Sequence, residues 1–348
     1  MTFASDNWAG VAPDIMAALA AANEGLAPAY GADDITARAK AKINATFECD
    51  AEIFFVATGG AANGLALATL SPPYGMIVCH EESHIQMDEC AGPEFFTGGA
   101  KLLPVKGLGG KLTPDAIASA LKGFPDRPPH GAPASILSLT NATECGTIYS
   151  PAELSALCKT AHSAGLKIHL DGARFANALQ SLKCTPAEAS WKAGVDVLFL
   201  GATKNGCLAA EAVIFFNRDN AKDFEFRRKR AGHLWSKQRF IAAQFEAWLQ
   251  DDLWLSLAAH ANTSAARLSN ALGAIAGVDV SYPTDINEIF VTLPEGCAEK
   301  LREQGYIFYP WMTPGDPADG KMHRLITSFR TTEEEINQFV AAVKRIST

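Results

Sequence analysis

The sequence lacks several features that mark other classes of protein. No apolar run approaches the roughly 20 residues of a transmembrane helix, and the first ten residues carry neither a basic leader nor a small-residue cleavage site. The eight cysteines include no C-x-x-C pair, and the net charge is −8. We therefore expect a cytoplasmic protein with reduced thiols and no metal site. Nucleic-acid and membrane partners are not expected, because both require a basic surface.

Length and composition predict a soluble enzyme with a large core. The chain has 348 residues, of which 48% are hydrophobic and 20% charged, which is ordinary for a globular protein. A chain of this length suits a large domain with a smaller one beside it. We divide it into an N-terminal segment over 1–15, a large domain over 16–240 and a small α+β domain over 241–348.

An alternation of strand and helix patterns from residue 51 onward predicts an α/β fold with a mostly parallel sheet. Seven apolar runs have the length and composition of buried strands: 51–58, 76–80, 101–105, 134–140, 166–171, 196–203 and 209–216. Helices are predicted between them and, before the first strand, over 12–25 and 33–47. Ligands of such sheets bind beyond the carboxyl ends of the strands.

The last hundred residues predict the smaller α+β domain. A basic stretch over 221–239 is followed by long helical patterns. Strands are then predicted over 287–294, 306–312 and 323–329, with a helix over 298–305 between the first two. The chain closes with a helix over 331–346, whose start carries a Thr-x-x-Glu capping pattern. The proline-rich stretch over 124–133 is predicted to be a surface loop.

Three short motifs follow predicted strands: TGGAAN at 58–63, HLDGAR at 169–174 and GATKNG at 201–206. The first supplies the backbone amides of Gly59, Gly60 and Ala61 at a helix N-terminus, which can hold a phosphate. Asp171 supplies a carboxylate for a pyridine nitrogen, and Lys204 an amine that can form a Schiff base. Pyridoxal 5′-phosphate (PLP) requires all three groups, so the sequence predicts this cofactor.

Each of these groups also has an ordinary structural explanation. A double glycine is needed in many tight turns, Asp171 could cap a helix, and Lys204 could extend to solvent. Arg174 lies near the same predicted pocket, where it could bind a carboxylate or form a surface ion pair. His84 could stack on the cofactor ring or be a polar loop residue.

Longer motifs resemble a known family. These are FASDN at 3–7, SHIQMDECAGPEFFTGGAKL at 83–102, LTNATECGTIYSP at 139–151 and HRLITSFRTTEEE at 323–335. Together with the three shorter motifs, they resemble the low-specificity L-threonine aldolases, which belong to the β-eliminating lyase group of PLP-dependent, fold-type I enzymes. The resemblance runs almost from end to end of the chain.

The resemblance implies roles for particular residues. Lys204 would be the Schiff-base lysine, Asp171 the partner of the pyridine nitrogen, and His84 the residue stacked on the ring. Gly59, Gly60 and Ala61 would hold the phosphate. The residues implied for binding the substrate carboxylate are Ser5, Arg174 and Arg324. The bare sequence does not distinguish Arg324 from Arg330, whereas the resemblance selects Arg324.

Two further residues and the assembly are also implied by the resemblance. His130 has the spacing from Asn141 of a second histidine near the substrate hydroxyl, although a solvated loop histidine is the alternative. Lys237 corresponds to a stretch that reaches the phosphate of a neighbouring subunit, or else is an exposed charged residue. The family suggests a homo-oligomer, a tetramer of two dimers with shared active sites.

The expected activity is retro-aldol cleavage of L-threonine, L-allo-threonine and related β-hydroxy-α-amino acids such as β-phenylserine, to glycine and an aldehyde. The proton acceptor for the β-hydroxyl is left open between His84, His130 and a bound water. Two alternatives remain. One is another PLP reaction of a small amino acid, namely β-elimination, transamination or racemisation. The other is a non-catalytic protein that binds PLP.

Overall fold

The structure is a computed structural model that describes residues 1–125, 127–311 and 322–347. A seven-stranded sheet forms its centre, with the strand order β1-β7-β6-β5-β4-β2-β3. Its strands are β1 Glu52–Val56, β2 Met76–His80, β3 Lys101–Val105, β4 Ala134–Thr140, β5 Lys167–Gly172, β6 Val197–Gly201 and β7 Glu211–Phe215. Only β7 runs antiparallel to its neighbours. The prediction of a mostly parallel seven-stranded sheet is confirmed.

Helices cover both faces of this sheet. The helices are α1 Pro13–Ala22, α2 Asp34–Thr46, α3 Gly59–Leu70, α4 His84–Met87, α5 Gly92–Thr97, α6 Pro114–Gly123, α7 Pro151–Ser163, α8 Phe175–Leu182, α9 Phe224–Arg230, α10 Arg239–Trp248, α11 Leu253–Gly273, α12 Cys297–Glu303 and α13 Glu333–Ser347. Alternate residues of a strand enter opposite cores. In β1, Ile53 and Phe55 join the larger core, whereas Phe54 and Val56 pack beneath α3 and α9.

A small antiparallel sheet lies in the C-terminal part, with the order β10-β11-β9-β8. Its strands are β8 Asp279–Val280, β9 Glu288–Thr292, β10 Tyr309–Pro310 and β11 Met322–Ile326. Helices α11, α12 and α13 pack around it in a second core. The predicted Thr-x-x-Glu cap of α13 is present, since Thr332 and Glu335 exchange side-chain to backbone hydrogen bonds of 2.8 and 3.2 Å. The small α+β region is confirmed.

The predicted strand over 306–312 is shorter in the structure. Tyr309 and Pro310 pair with β11, and the amide of Trp311 donates to the carbonyl of Met322 at 2.9 Å. Ile307 instead forms a bridge with Thr2, and Met312 lies outside the described residues. The chain start therefore occupies part of the edge that the longer strand would have used: Phe3 donates its N–H to the carbonyl of Ile307 at 2.8 Å and accepts one from Ile326 at 2.8 Å.

The proposed domain limits stay a prediction. The limit at 15/16 falls inside α1, and the limit at 240/241 falls inside α10, whose Ile241 and Phe245 pack in the large core. In the described part of the chain, no helix is both long and apolar enough to cross a membrane. The proline-rich stretch is an exposed loop on both sides of residue 126, which the structure does not describe.

Candidate active site

A cavity of about 310 Å³ opens beyond the carboxyl ends of β1, β4, β5 and β6. Parallel strands bring their carboxyl ends to one edge, where the following loops converge. Because β7 is antiparallel, its first residue reaches the same edge. The lining includes Asn7, Thr58, Gly59, Gly60, Asn63, His84, Thr140, Glu144, Asp171, Arg174, Thr203, Lys204 and Glu211. All three short motifs therefore meet in one cavity.

The N-terminus of α3 forms one wall. Thr58 caps the helix, and its hydroxyl accepts a hydrogen bond of 3.4 Å from the amide of Ala61. This bond engages one of the three predicted phosphate amides. A Cβ at Gly59 would lie 3.0 Å from the ring of Phe199, so a side chain there would crowd the site. The positive end of the helix and its glycine amides fit a phosphate.

Asp171 lies near the carboxyl end of β5 and is 3% exposed. One carboxylate oxygen accepts the amide N–H of Ala173 at 2.9 Å, and the other accepts the side-chain N–H of Asn63 at 2.7 Å. These two donors fix the carboxylate in the cavity wall. A buried anion of this kind suits a protonated ring nitrogen.

Lys204 lies in a short 3-10 turn, Thr203–Asn205, directly after β6. Burial, reinforced by repulsion from Arg174, lowers the pKa of its amine. Among the residues that the structure describes, none accepts a hydrogen bond from this amine. A lysine with a lowered pKa and no acceptor is prepared to attack a carbonyl carbon, because only the neutral amine is nucleophilic.

Glu211 supports the turn that carries Lys204. It is buried at the start of β7 and accepts the amide N–H of Ala202 at 3.1 Å. Burial raises the pKa of Glu211 to about 8. The amide of Ala210 bonds the hydroxyl of Thr203 at 3.1 Å. The sequence analysis missed Glu211, which lies within an apolar strand with no pattern to single it out.

His84 begins α4 and belongs to a chain of hydrogen bonds that starts at Asp171. Asn63 donates to Asp171 and also to Glu89 at 2.8 Å, and the same oxygen of Glu89 lies 2.8 Å from Nδ1 of His84. This bond to Glu89 raises the pKa of His84. Asn63 and Glu89 were not among the predicted site residues. Asn63 could have been found, because it lies one helical turn after Gly59 on the same face.

Arg174 is held by two carboxylates. Its Nε and Nη2 bond both oxygens of Asp6 at 2.8 and 3.1 Å, and its Nη1 lies 3.3 Å from Glu288. Burial alone would lower the pKa of Arg174, but attraction to Asp6 and Glu288 raises it. Burial would raise the pKa of Asp6, but attraction to Arg174 and Lys204 lowers it. Asp6 and Glu288 are both nearly fully buried.

Arg324, on β11, lies close to Glu288, which also pairs with Arg174. Its Nη1 lies 3.7 Å from Glu288 on the neighbouring strand β9, and its guanidinium stacks 4.4 Å from the ring centroid of Trp311. Arg330 instead bonds the carbonyl of Val11. Two arginines and two carboxylates thus form one cluster beside the cavity. Asp6 and Glu288 were missed, since each is distant in sequence from the arginines that it pairs with.

Five predicted residues do not line the cavity of this chain: Ala61 and Arg324, described above, and Ser5, His130 and Lys237. The hydroxyl of Ser5 accepts the amide N–H of Asn7 at 3.1 Å and caps a short turn, which places Asn7 rather than Ser5 against the cavity. His130 is exposed in a turn, where its amide donates to Arg127. Lys237 is also exposed. The roles of all the predicted site residues stay predictions.

Comparisons with known proteins agree with this geometry. Residues 2–295 match the family described as β-eliminating lyase. A low specificity L-threonine aldolase from Pseudomonas aeruginosa is 45% identical over 344 residues, covering 99% of this chain and 97% of that protein. One from another Pseudomonas strain is 43% identical with the same coverage. The structure of a Leishmania major threonine aldolase superposes with a TM-score of 0.92 at 30% identity, covering 100% of this chain and 99% of the other.

Proposed function

The chain belongs to the β-eliminating lyase family, and on that premise we propose that it is a PLP-dependent aldehyde-lyase that cleaves L-threonine and L-allo-threonine to glycine and acetaldehyde. One observation carries the proposal: a glycine-rich helix N-terminus, a buried carboxylate and an amine of lowered pKa line a single cavity beside two arginines. The close relatives named as threonine aldolases support this choice of reaction.

The cofactor assignment follows from the chemistry of the donors. Gly59 and Gly60 would hold the phosphate, Asp171 the ring nitrogen, Lys204 the aldehyde carbon and His84 one ring face. When bound, PLP supplies an electron sink for the bond that breaks at the α-carbon. A fixed carboxylate at Asp171 keeps that sink positively charged and therefore effective.

The protein's own contribution is orientation. Arg174 and Arg324 would bind the substrate carboxylate, and this contact turns the Cα–Cβ bond into the direction required for cleavage. Asp6 binds Nε and Nη2 of Arg174 with its two carboxylate oxygens, which limits the rotation of that guanidinium. Of the substrate, only the carboxylate, the amine and the hydroxyl group then need fixed partners. Larger β-substituents, such as the phenyl group of β-phenylserine, should therefore also be accepted.

The first experiment is a product assay. Purified protein supplied with PLP and L-threonine should show a visible absorption band of the bound cofactor and should release acetaldehyde and glycine in equal amounts. Pyruvate or ammonia would instead indicate β-elimination, a keto acid transamination, and the D-amino acid racemisation. A band without any turnover would leave the non-catalytic alternative.

Arg324 provides a test of the carboxylate-binding role. Arg324→Gln should raise the KM for L-threonine about 10- to 100-fold, because one charge-assisted hydrogen bond contributes about 1.5–3 kcal/mol. The same change should have a smaller effect on kcat. Steady-state kinetics measure both constants.

Arg330→Gln is the matched control for this substitution. Arg330 bonds a backbone carbonyl at the surface, so its loss should leave the KM unchanged. Equal effects of the two substitutions would contradict the assignment of Arg324.

The assembly and location are also proposals. We expect a homotetramer in which Lys237 approaches the phosphate site of a neighbouring subunit. Exposed aromatic side chains near it in sequence, Trp235 and Phe226, support a protein contact on this side, and sedimentation of the purified protein would give the number of subunits. Eight free cysteines are typical of a reducing compartment and support a cytoplasmic location.

A further inference from the structure

Glu144 is a second acidic residue in the cavity wall, in the loop that follows β4. Its Oε1 accepts two hydrogen bonds, from the amide of His84 at 2.8 Å and from the hydroxyl of Thr140 at 2.9 Å. Its Oε2 is buried and has no hydrogen-bond partner among the described residues. The carboxyl group is therefore held in place through one oxygen, while the other has unused acceptor capacity. A buried polar atom without a partner calls for an explanation.

The two histidines considered as proton acceptors are poorly suited to that role. Nδ1 of His84 lies 2.8 Å from the buried carboxylate of Glu89, and this bond raises the pKa of His84. Nδ1 of His84 is therefore already engaged by Glu89 and is not free to take the proton of the substrate hydroxyl. His130 lies in an exposed turn and does not line the cavity of its own chain.

The surroundings of Glu144 make it a suitable acid–base group. Burial, and next repulsion from Asp171, raise its pKa to about 7. A general base works best when its pKa is near the operating pH. Several charged and titratable groups lie around Glu144. They come from β2 and α4, from its own loop, and from β5 with the turn that follows it: Cys79, His84, Cys145, Tyr149, Asp171 and Arg174.

We propose that Glu144 accepts the proton of the β-hydroxyl group of the substrate. The carboxylate takes the proton, and the electron pair of the O–H bond becomes the second carbon–oxygen bond of the aldehyde. The Cα–Cβ bond breaks and its electron pair stays with the glycine fragment, whose α-carbon then takes up a proton. The inference rests on the proposed aldolase function and assigns the proton acceptor in that reaction.

The test compares two reactions of Glu144→Gln. Cleavage of L-threonine needs a proton acceptor for the hydroxyl, and kcat/KM should fall about 10²- to 10⁴-fold. Exchange of the α-hydrogen of glycine for deuterium in D₂O involves no hydroxyl, so its rate should stay at the wild-type value. The wild-type kcat/KM should also rise with pH through about 7, where Glu144 loses its proton. Glu144→Gln should not show this rise of kcat/KM with pH.

Three further variants define the result. Glu246→Gln is the matched control, because Glu246 pairs with Arg38 at the surface and its loss should change neither reaction. Glu144→Asp keeps a carboxylate and should recover part of the cleavage rate. Glu89→Gln removes the negative charge beside His84 but should keep the rise of kcat/KM with pH that belongs to Glu144.

A readout without catalysis completes the test. The infrared difference between wild type and Glu144→Gln in cofactor-free protein should show one carboxyl group that titrates near 7. Normal threonine cleavage by the variant, or an equal loss of cleavage and glycine exchange, would overturn the role of Glu144; the latter would indicate that it only positions His84. If wild type released no acetaldehyde, the proposed function itself would fail, and this role with it.

Discussion

Lys204→Ala should remove the visible band of the bound cofactor and lower the rate of acetaldehyde release by about 10⁴-fold, the upper end of what a positioned acid–base side chain contributes. The reason is that the lysine amine has two uses in the proposed reaction. It would hold the cofactor by its aldehyde, and it would help to release glycine. The lowered pKa that burial gives this amine supports both uses, because each requires the neutral form. Absorption spectroscopy and an acetaldehyde assay on the same sample measure the two effects.

Two variants separate chemistry from charge at this position. Lys204→Arg keeps a cation but has no amine that can bond the aldehyde, so it should be as inactive as the alanine variant. Lys222→Ala removes a lysine that is 74% exposed and pairs with Asp219 one helical turn away, and it should behave like wild type. An active Lys204→Arg enzyme would show that the residue acts only through its charge.

Asp171→Asn should lower kcat about 10²- to 10³-fold, the range seen when one preorganised electrostatic group is removed. Both oxygens of Asp171 face donors, namely the amide of Ala173 and the side chain of Asn63. An asparagine must present its NH₂ group to one of them. The variant therefore loses the negative charge and also one hydrogen bond, and it should bind the cofactor more weakly. Kinetics at saturating cofactor isolate the effect on kcat.

Asp33→Asn is a matched control for this variant. Asp33 is also 3% exposed, and it accepts two hydrogen bonds from Thr36 at the start of α2. Its substitution should reduce the melting temperature without lowering kcat, because it lies at a helix cap. If kcat fell equally in both variants, general destabilisation would explain the Asp171 result.

Much of the fold was predictable because its signals are local. Apolar runs of strand length alternate with helical patterns, and the seven runs correspond to β1–β7. The strand over 306–312 was predicted too long, because the backbone of Ile307 pairs with the N-terminal segment rather than with β11. Residues 2 and 307, which form the bridge there, are separated by almost the whole chain, and no local pattern reports such a pairing.

By itself, the sequence determined the α/β class, the order of strands and helices, and the three motifs for phosphate, ring nitrogen and aldehyde. These follow from short-range periodicity and from the rule that loops after parallel strands meet at one edge. Only the tertiary structure brought Asp6 to Arg174 across 168 residues, and Asn287 to Asp6 across 281. It also decided which carboxyl groups have altered pKa values, as at Glu144 and Glu211. A pKa depends on burial and on neighbouring charges in space, and the positions of those charges are set by packing between distant segments.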